Sequence, residues 1–253
     1  YCFESDHGCS VFAVHSGEHT YFGRNMDMFP EYKKTSESVL YMPENQNIFL
    51  AHSTAMICVE DGMNEHGLAA ALTFLLPKTV KPGINGGFLI RLILEECKTA
   101  EEAARLLQNI PISSVHNIVV DSMGEMFVAE CTAEQVSVRW CEKYVAATNH
   151  FITSKMQQYN AEDENWYQTR DRLATLESVL ADEHMTFEKC KELLSGKRGF
   201  LCQYEKKLHF ETIWSAVYDL NNLCNEICEG NSAKSAFRTE TRLAWGMNKA
   251  KRK

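Results

Sequence analysis

No apolar run in this chain of 253 residues reaches the roughly 18 residues that a membrane-spanning helix needs. The first eight residues, Tyr1 to Gly8, also lack the apolar centre of a signal peptide. Basic charge is in short supply. Lys and Arg together number 26 against 34 Asp and Glu, a formal charge of −8, which argues against nucleic acid as the main partner, since phosphate binding needs a clustered basic surface. The one dense basic run, Lys249-Ala250-Lys251-Arg252-Lys253, is expected to be a frayed, solvated tail.

Metal-site spacing is missing too. The ten cysteines are scattered, and the closest motif-like pair, Cys224-x-x-x-Cys228, has the wrong spacing for a zinc knuckle and no His pair after it. They read as mostly reduced and buried rather than as a disulfide framework. With no internal repeat, low-complexity tract or linker, one domain is expected.

Short β-type segments dominate the first half. Cys9 to His15 and His19 to Arg24 flank a turn at Ser16-Gly17, a hairpin signal. A second pair, Thr54 to Val59 and Leu68 to Phe74, is joined through the polar run Asp61 to Gly67. Two helices follow, Phe88 to Cys97 and Thr99 to Asn109; the second opens on Thr99-Ala100-Glu101-Glu102, a capping box.

Strands resume over His116 to Asp121, Glu125 to Cys131, Gln135 to Trp140 and Tyr144 to Ala147. Helical spacing returns over Asn165 to Ala181, with Trp166, Leu173, Leu176 and Leu180 on one side, and over Phe187 to Ser195, which Gly196 stops. Thr212 to Tyr218 and Asn222 to Cys228 read as the last sheet segments. Strand blocks alternating with helix pairs, and strands apolar on both faces, predict an α+β four-layer α/β/β/α sandwich of two stacked, mainly antiparallel sheets.

The chemistry concentrates in the first hairpin. Cys9 heads the run Ser10-Val11-Phe12-Ala13-Val14, and the returning strand carries Gly23-Arg24-Asn25-Met26-Asp27. A thiol with a reference pKa of about 8.5 is mostly protonated at neutral pH and needs a neighbouring cation or base. Arg24 offers the cation. If the Gly8-Cys9 bond were cut, the new α-amino group, at about 7.7–8, would lie beside the thiol and could serve as its base. Asp27 would hold Arg24 or the amine. A buried cysteine is more often structural, and an Arg-x-x-Asp pair is more often a surface contact of little energy.

Cys9-Ser10-x-Phe12 with Gly23 to Asp27 resembles the amino end of the choloylglycine hydrolase and penicillin V acylase family. These are N-terminal-nucleophile cysteine hydrolases related to the acyl-coenzyme A:6-aminopenicillanic acid acyltransferases. Asp61 to Leu68, Asn117 to Asp121 with Gly124, Ala147 to Phe151 and Thr212 to Ser215 follow in the family's order. The resemblance implies that Cys9 is the nucleophile and its freed amine the general base, that Arg24 sits against the thiolate, and that Asp27 contacts the amine. It implies that Asn149 donates its amide to the oxyanion; without the family, Asn149 reads as a turn residue. An arginine on the following helix is implied as well, which Arg170 or Arg172 could fill, with Arg170 slightly preferred.

Two departures stand out. Thr73, in Leu72-Thr73-Phe74, occupies the place of an Asn or Tyr; its hydroxyl can still donate, but it is shorter, which puts bile salts in doubt as substrates. Eight residues also precede Cys9, so residues 1–8 are expected to be a propeptide removed by autoproteolysis, with 9–253 as the hydrolase domain. His66 and His150 invite a Cys-His dyad, but His66 belongs to a turn motif and His150 has no orienting acid. The expected activity is hydrolysis of a linear N-acyl amide without a cofactor, acting on a small-molecule substrate with no nucleic-acid or membrane partner. Competing readings are an acyltransferase, an inactive binding homologue and a related thiol dipeptidase. A homo-oligomer, tetramer or dimer, is implied by the resemblance. A cytoplasmic location is expected, though a chain that does not begin with Met leaves room for a removed leader.

Overall fold

The computed structural model describes residues 8–54, 57–160, 165–182, 184–207 and 209–251. Its chain opens on the expected hairpin, β1 (Gly8–Ser16) and β2 (His19–Met28), in which Cys9 lies opposite Met26 and Val11 opposite Arg24. Then come β3 (Glu37–Tyr41), β4 (Phe49–Ser53), β5 (Asp61–Asn64) and β6 (Leu68–Phe74), followed by α1 (Gly86–Glu96) and α2 (Ala100–Asn109). A further meander is β7 (His116–Ser122), β8 (Glu125–Cys131), β9 (Val136–Cys141) and β10 (Tyr144–Ala147). The rest is α3 (Thr169–Asp182), α4 (Phe187–Leu194), β11 (Tyr204–Glu205), β12 (Phe210–Asp219), β13 (Cys224–Glu229), β14 (Arg238–Glu240) and α5 (Arg242–Ala250).

The strands form two antiparallel sheets. One runs β10-β1-β2-β12-β13-β14 with β11 on β12; the other is the sequential meander from β3 to β9. Side chains alternate across each strand, so Val11, Ala13, Phe22, Ala216 and Tyr218 of the first sheet meet Leu50, Met63, Ala69, Ala71 and Val119 of the second. The opposite faces are covered by helices: Phe12, Val14 and Val217 pack on Leu176, Leu180, Leu193 and Leu194, while Ala70, Leu72 and Ile118 pack on Leu89, Ile93 and Leu107. This is the predicted four-layer sandwich, and it explains why β1 shows no clean in-out alternation. Gly23 is required by a close approach, because a Cβ there would fall 2.4 Å from the Phe12 ring.

Four expectations are corrected. Thr54 to Val59 does not supply the strand; β4, just before it, pairs with β3 and β5, and the Val59 amide donates instead to the Gly87 carbonyl of α1 at 3.1 Å. Ala55 and Met56 lie outside the described residues. The helix expected from Asn165 begins as α3 at Thr169, because Tyr167 takes φ 48° and turns its carbonyl inward, where Arg172 Nε and Gln203 Nε2 donate to it. The basic end is partly helical: Lys249 lies in the last turn of α5, with its ammonium 4.8 Å from the Trp245 ring centroid. Ahead of α2, Thr99 Oγ1 accepts from the Glu102 amide as predicted, but the Glu102 carboxylate accepts from the Lys98 amide rather than from Thr99.

At the β7–β8 turn the buried Asp121 accepts the Gly124 amide through Oδ1, while Oδ2 has no hydrogen-bond partner among the described residues. Burial pushes this carboxyl up to about 7, with the Gly124 amide opposing the shift. An unfolded Asp titrates near 3.9, so between about pH 4 and 7 the folded state holds a proton that the unfolded state has lost, and stability falls as pH rises through that window. Asp121→Asn is therefore expected to raise the urea midpoint at about pH 8 by more than at about pH 4, an increment worth a few kcal/mol. An equal effect at both pH values would show that Asp121 is not protonated in the fold.

Candidate active site

Cys9 points into the layer between the two sheets, on the same side of β1 as Val11 and Ala13, and is fully buried. Met26, Ile213 and Trp214 pack around it. Arg24, one diagonal step away on β2, donates through Nη2 to Cys9 Sγ at 3.1 Å and to Met26 Sδ at 2.9 Å. Burial pushes the thiol up to about 11, against the pull of Arg24, so in this arrangement it holds its proton.

The guanidinium is anchored from the opposite sheet. Arg24 Nη1 donates to Asp61 Oδ1 at 2.8 Å, both groups fully buried. Trp214 Nε1 adds a longer bond to the same oxygen at 3.3 Å, and the Trp214 ring centroid lies 5.4 Å from Arg24 Cζ. Asp61 Oδ2 takes the Tyr218 hydroxyl at 2.5 Å and faces His52 Nδ1 at 2.8 Å. Burial alone would raise the Asp61 carboxyl, but His52, Arg24 and the Tyr218 hydroxyl hold it below the usual carboxylate range. Arg24 likewise stays charged: its own desolvation is opposed by the carboxylates of Asp61 and Glu60 and by the hydrogen bond that it gives the Cys9 sulfur.

A second set surrounds the nitrogen of Cys9. That N–H donates to Asn149 Oδ1 at 3.0 Å, and the same oxygen accepts from Arg172 Nη2 at 2.7 Å. Arg172 Nη1 donates to the Cys9 carbonyl at 2.5 Å and to Ser10 Oγ at 3.0 Å, and lies 3.7 Å from Asp27 Oδ2. Asp27 sits opposite Gly8 in the hairpin register and accepts from Thr212 Oγ1 at 2.5 Å. Gly8 has little room to be anything larger, since a Cβ there would come within 3.1 Å of the Phe210 ring and 3.2 Å of Asp27 Cβ.

The model of the acyl-coenzyme A:6-aminopenicillanic acid acyl-transferase family matches residues 14–234. The chain belongs to this family. The matched span starts just after Cys9 and includes Arg24, Asp27, Asn149 and Arg172. No curated protein matches the sequence. Among solved structures, a mutant of the conjugated bile acid hydrolase from Clostridium perfringens is 14% identical with a TM-score of 0.67, covering 92% of this chain and 96% of that one. A second variant of that hydrolase is 13% identical with a TM-score of 0.68 over the same shares. The penicillin V acylase from Agrobacterium tumefaciens is 16% identical with a TM-score of 0.59, covering 87% of this chain and 83% of that one. At these identities the likeness establishes the shared sandwich fold.

For this member of the acyl-transferase family the sequence-based placements need three corrections. Arg172, not Arg170, is the helix arginine beside Cys9: Arg172 is fully buried on the side of α3 facing β1, whereas Arg170, two residues earlier, is exposed. Thr73 faces the inter-sheet layer, but its hydroxyl gives its proton to the Thr148 carbonyl at 2.5 Å. Asn117 Nδ2 reaches that carbonyl at 2.9 Å, so the pair fixes the chain just before Asn149. Asn149 gives one N–H of Nδ2 to the Phe74 carbonyl at 2.7 Å, and its oxygen, not its nitrogen, faces Cys9.

Neither histidine completes a dyad. His66 Nε2 bonds Asn47 Oδ1 at 3.1 Å, while His150 Nδ1 faces Thr169 Oγ1 at 2.9 Å and is pushed down to about 4 by burial and by Arg170 and Arg172. His52, Asp61, Trp214 and Tyr218 were not foreseen as site residues, although Asp61 and Trp214 lie inside quoted motifs. Strand alternation alone places His52 and Asp61 on the inward face. Among the described residues no cluster of three or more His, Cys, Asp or Glu could hold a metal ion, and no helix is long and apolar enough to cross a membrane.

Proposed function

We propose that the chain cleaves a linear carbon–nitrogen bond in N-acyl amides through a thioester on Cys9, after cutting its own Gly8-Cys9 bond. The observation that carries this reading is the Arg24 Nη2 contact at 3.1 Å from the Cys9 sulfur, set beside Asn149, Asp27 and Arg172 around the Cys9 nitrogen. In the self-cleavage, the sulfur attacks the Gly8 carbonyl carbon, the Gly8–Cys9 C–N bond breaks to free the α-amine, and water releases residues up to Gly8 from the resulting thioester. The new amine would have a pKa near the reference value of about 7.7–8, and Asn149 Oδ1, which accepts the Cys9 N–H, and Asp27, opposite Gly8, would hold it.

With a substrate amide, the amine takes the thiol proton as the sulfur adds to the carbonyl carbon, then passes that proton to the departing nitrogen. Water, activated by the same amine, hydrolyses the thioester and frees the acid. Arg24 favours the thiolate, and Asp61 keeps the guanidinium aimed at it. The Asn149 carboxamide and backbone amides are the proposed donors to the oxyanion. The family's name favours a second reading, in which an amine acceptor rather than water resolves the thioester.

The test is to incubate the processed protein with N-acyl amino acids, penicillin V and conjugated bile salts, with and without added amine acceptors. Free acid plus free amine from at least one amide is the expected result, and acceptor-dependent formation of a new amide would shift the assignment to transfer. No turnover by a chain that has exposed Cys9 as its first residue would remove the hydrolase reading.

A further inference from the structure

A cavity of about 370 Å³ opens beside the site, bordered by His52, Ile213, Trp214 and Ile227, with Lys33 and Glu229 at its rim. Its volume is in the range of small-molecule pockets. Ile213 and Trp214 line the cavity on one side and pack with Cys9 in one apolar cluster on the other.

One wall is unlike the rest. His52 is 1% exposed and gives Nδ1 to the Asp61 carboxylate. Its other ring nitrogen, Nε2, is buried and has no hydrogen-bond partner among the described residues. A buried polar atom left without a partner costs of order 1–3 kcal/mol, so the ring that borders this cavity carries an unmet hydrogen-bonding demand.

We infer that this cavity receives the acyl half of the substrate and that His52 Nε2 recognises a hydroxyl group carried on an otherwise apolar acyl chain. The inference rests on the thioester reading above. The acyl half is the part that stays on the sulfur after the amine leaves, and the residues packed around that sulfur continue as the apolar wall of the cavity. Facing a carboxylate, Nδ1 carries a hydrogen; Nε2 then presents a lone pair in the neutral ring and an N–H in the charged one. A hydroxyl satisfies either state, because it both donates and accepts. Acidic acyl groups are disfavoured at the rim, where Glu37 and Glu229 are exposed and Lys33 is already paired with Glu211.

Binding and turnover test the idea separately. Calorimetry of the wild-type chain with decanoic acid and a series of monohydroxydecanoic acids needs no reaction, and one hydroxyl position is expected to bind about tenfold tighter than the unsubstituted acid, the value of one good hydrogen bond. His52→Asn keeps an amide where Nδ1 meets Asp61 and deletes Nε2, and should bring that ratio to near unity; His52→Gln, which restores a polar atom near Nε2, should recover most of it. The same ratios are expected in kcat/KM for the matching N-acyl amides. Equal binding of all the acids to wild type, binding of none, or an undiminished preference in a folded His52→Asn would overturn the assignment. Selective binding without turnover would retain the cavity and remove the catalytic reading instead.

Discussion

Intact mass spectrometry of the purified wild-type chain is expected to show a polypeptide that begins at Cys9, and that of Cys9→Ala one that keeps everything up to Gly8. The same variant should lose N-acyl amide cleavage by on the order of 10⁴-fold or more, because in triad-type enzymes removing the nucleophile costs about as much as removing the whole set. The physical reason is specific to this site. In the proposed mechanism Cys9 would supply both the attacking sulfur and, once the preceding bond is cut, the base that takes its proton, so one substitution would delete two functions.

The uncut arrangement is also a poor catalyst by its own electrostatics. With its nitrogen tied up as a strand amide that donates to Asn149 Oδ1 and its thiol pushed up to about 11 by burial, the residue has neither base nor thiolate at neutral pH. Cys9→Ser separates the roles further: it retains a weaker nucleophile and should process slowly or not at all. A wild-type chain that stays uncut yet hydrolyses amides would sink the mechanism while leaving the family assignment intact.

The second large effect is expected at Arg172. Arg172→Lys preserves the charge but loses the fork that joins the Cys9 carbonyl, Ser10 Oγ and Asn149 Oδ1, and a compact ammonium cannot replace three directional contacts. A fall in kcat/KM on the order of 10²-fold is expected, comparable to losing a single oxyanion donor. Arg172→Met goes further. It leaves Asp27 buried without its nearby cation, and breaking a buried charge pair from one side costs about 3–5 kcal/mol, readable as a drop in the urea midpoint. Arg170→Gln is expected to change activity by less than about twofold. The reverse ranking of the two arginines would mean that α3 sits a half-turn away from the position described.

The sequence was most informative where pattern and packing agree. The first hairpin, the β7 to β10 meander and α1, α2 and α4 were each legible from alternation, capping residues or a stopping glycine, because their local preference and their tertiary role coincide. Arg172 was harder, since on a helix a difference of two positions turns a side chain through most of a half-circle. The deciding event, the left-handed turn at Tyr167 that delays the start of α3, leaves no mark in a hydrophobic count. For Asn149, which atom of the carboxamide faces a neighbour depends on donors from β1 and α3 and an acceptor from β6 that are far apart in sequence.

His52 and Asp61 illustrate a different limit. A histidine and an aspartate nine residues apart carry no motif, and only the pairing of β4 with β5 sets them opposite each other. β4 itself was displaced in the reading by the more apolar stretch after it, whose amide at Val59 turns out to serve α1.

The ion pair between Arg24 of one sheet and Asp61 of the other also makes the sulfur sensitive to a quantity no single strand controls, the gap separating the layers. A wedge that widens this gap by even an ångström, such as a bulkier residue at Ala71 or mild warming that loosens the sandwich, would swing the cation off its target while the backbone ladders survive. Inactivation should therefore precede melting, and heat sensitivity of the chemistry would report on the breathing of the interior rather than on loss of the fold.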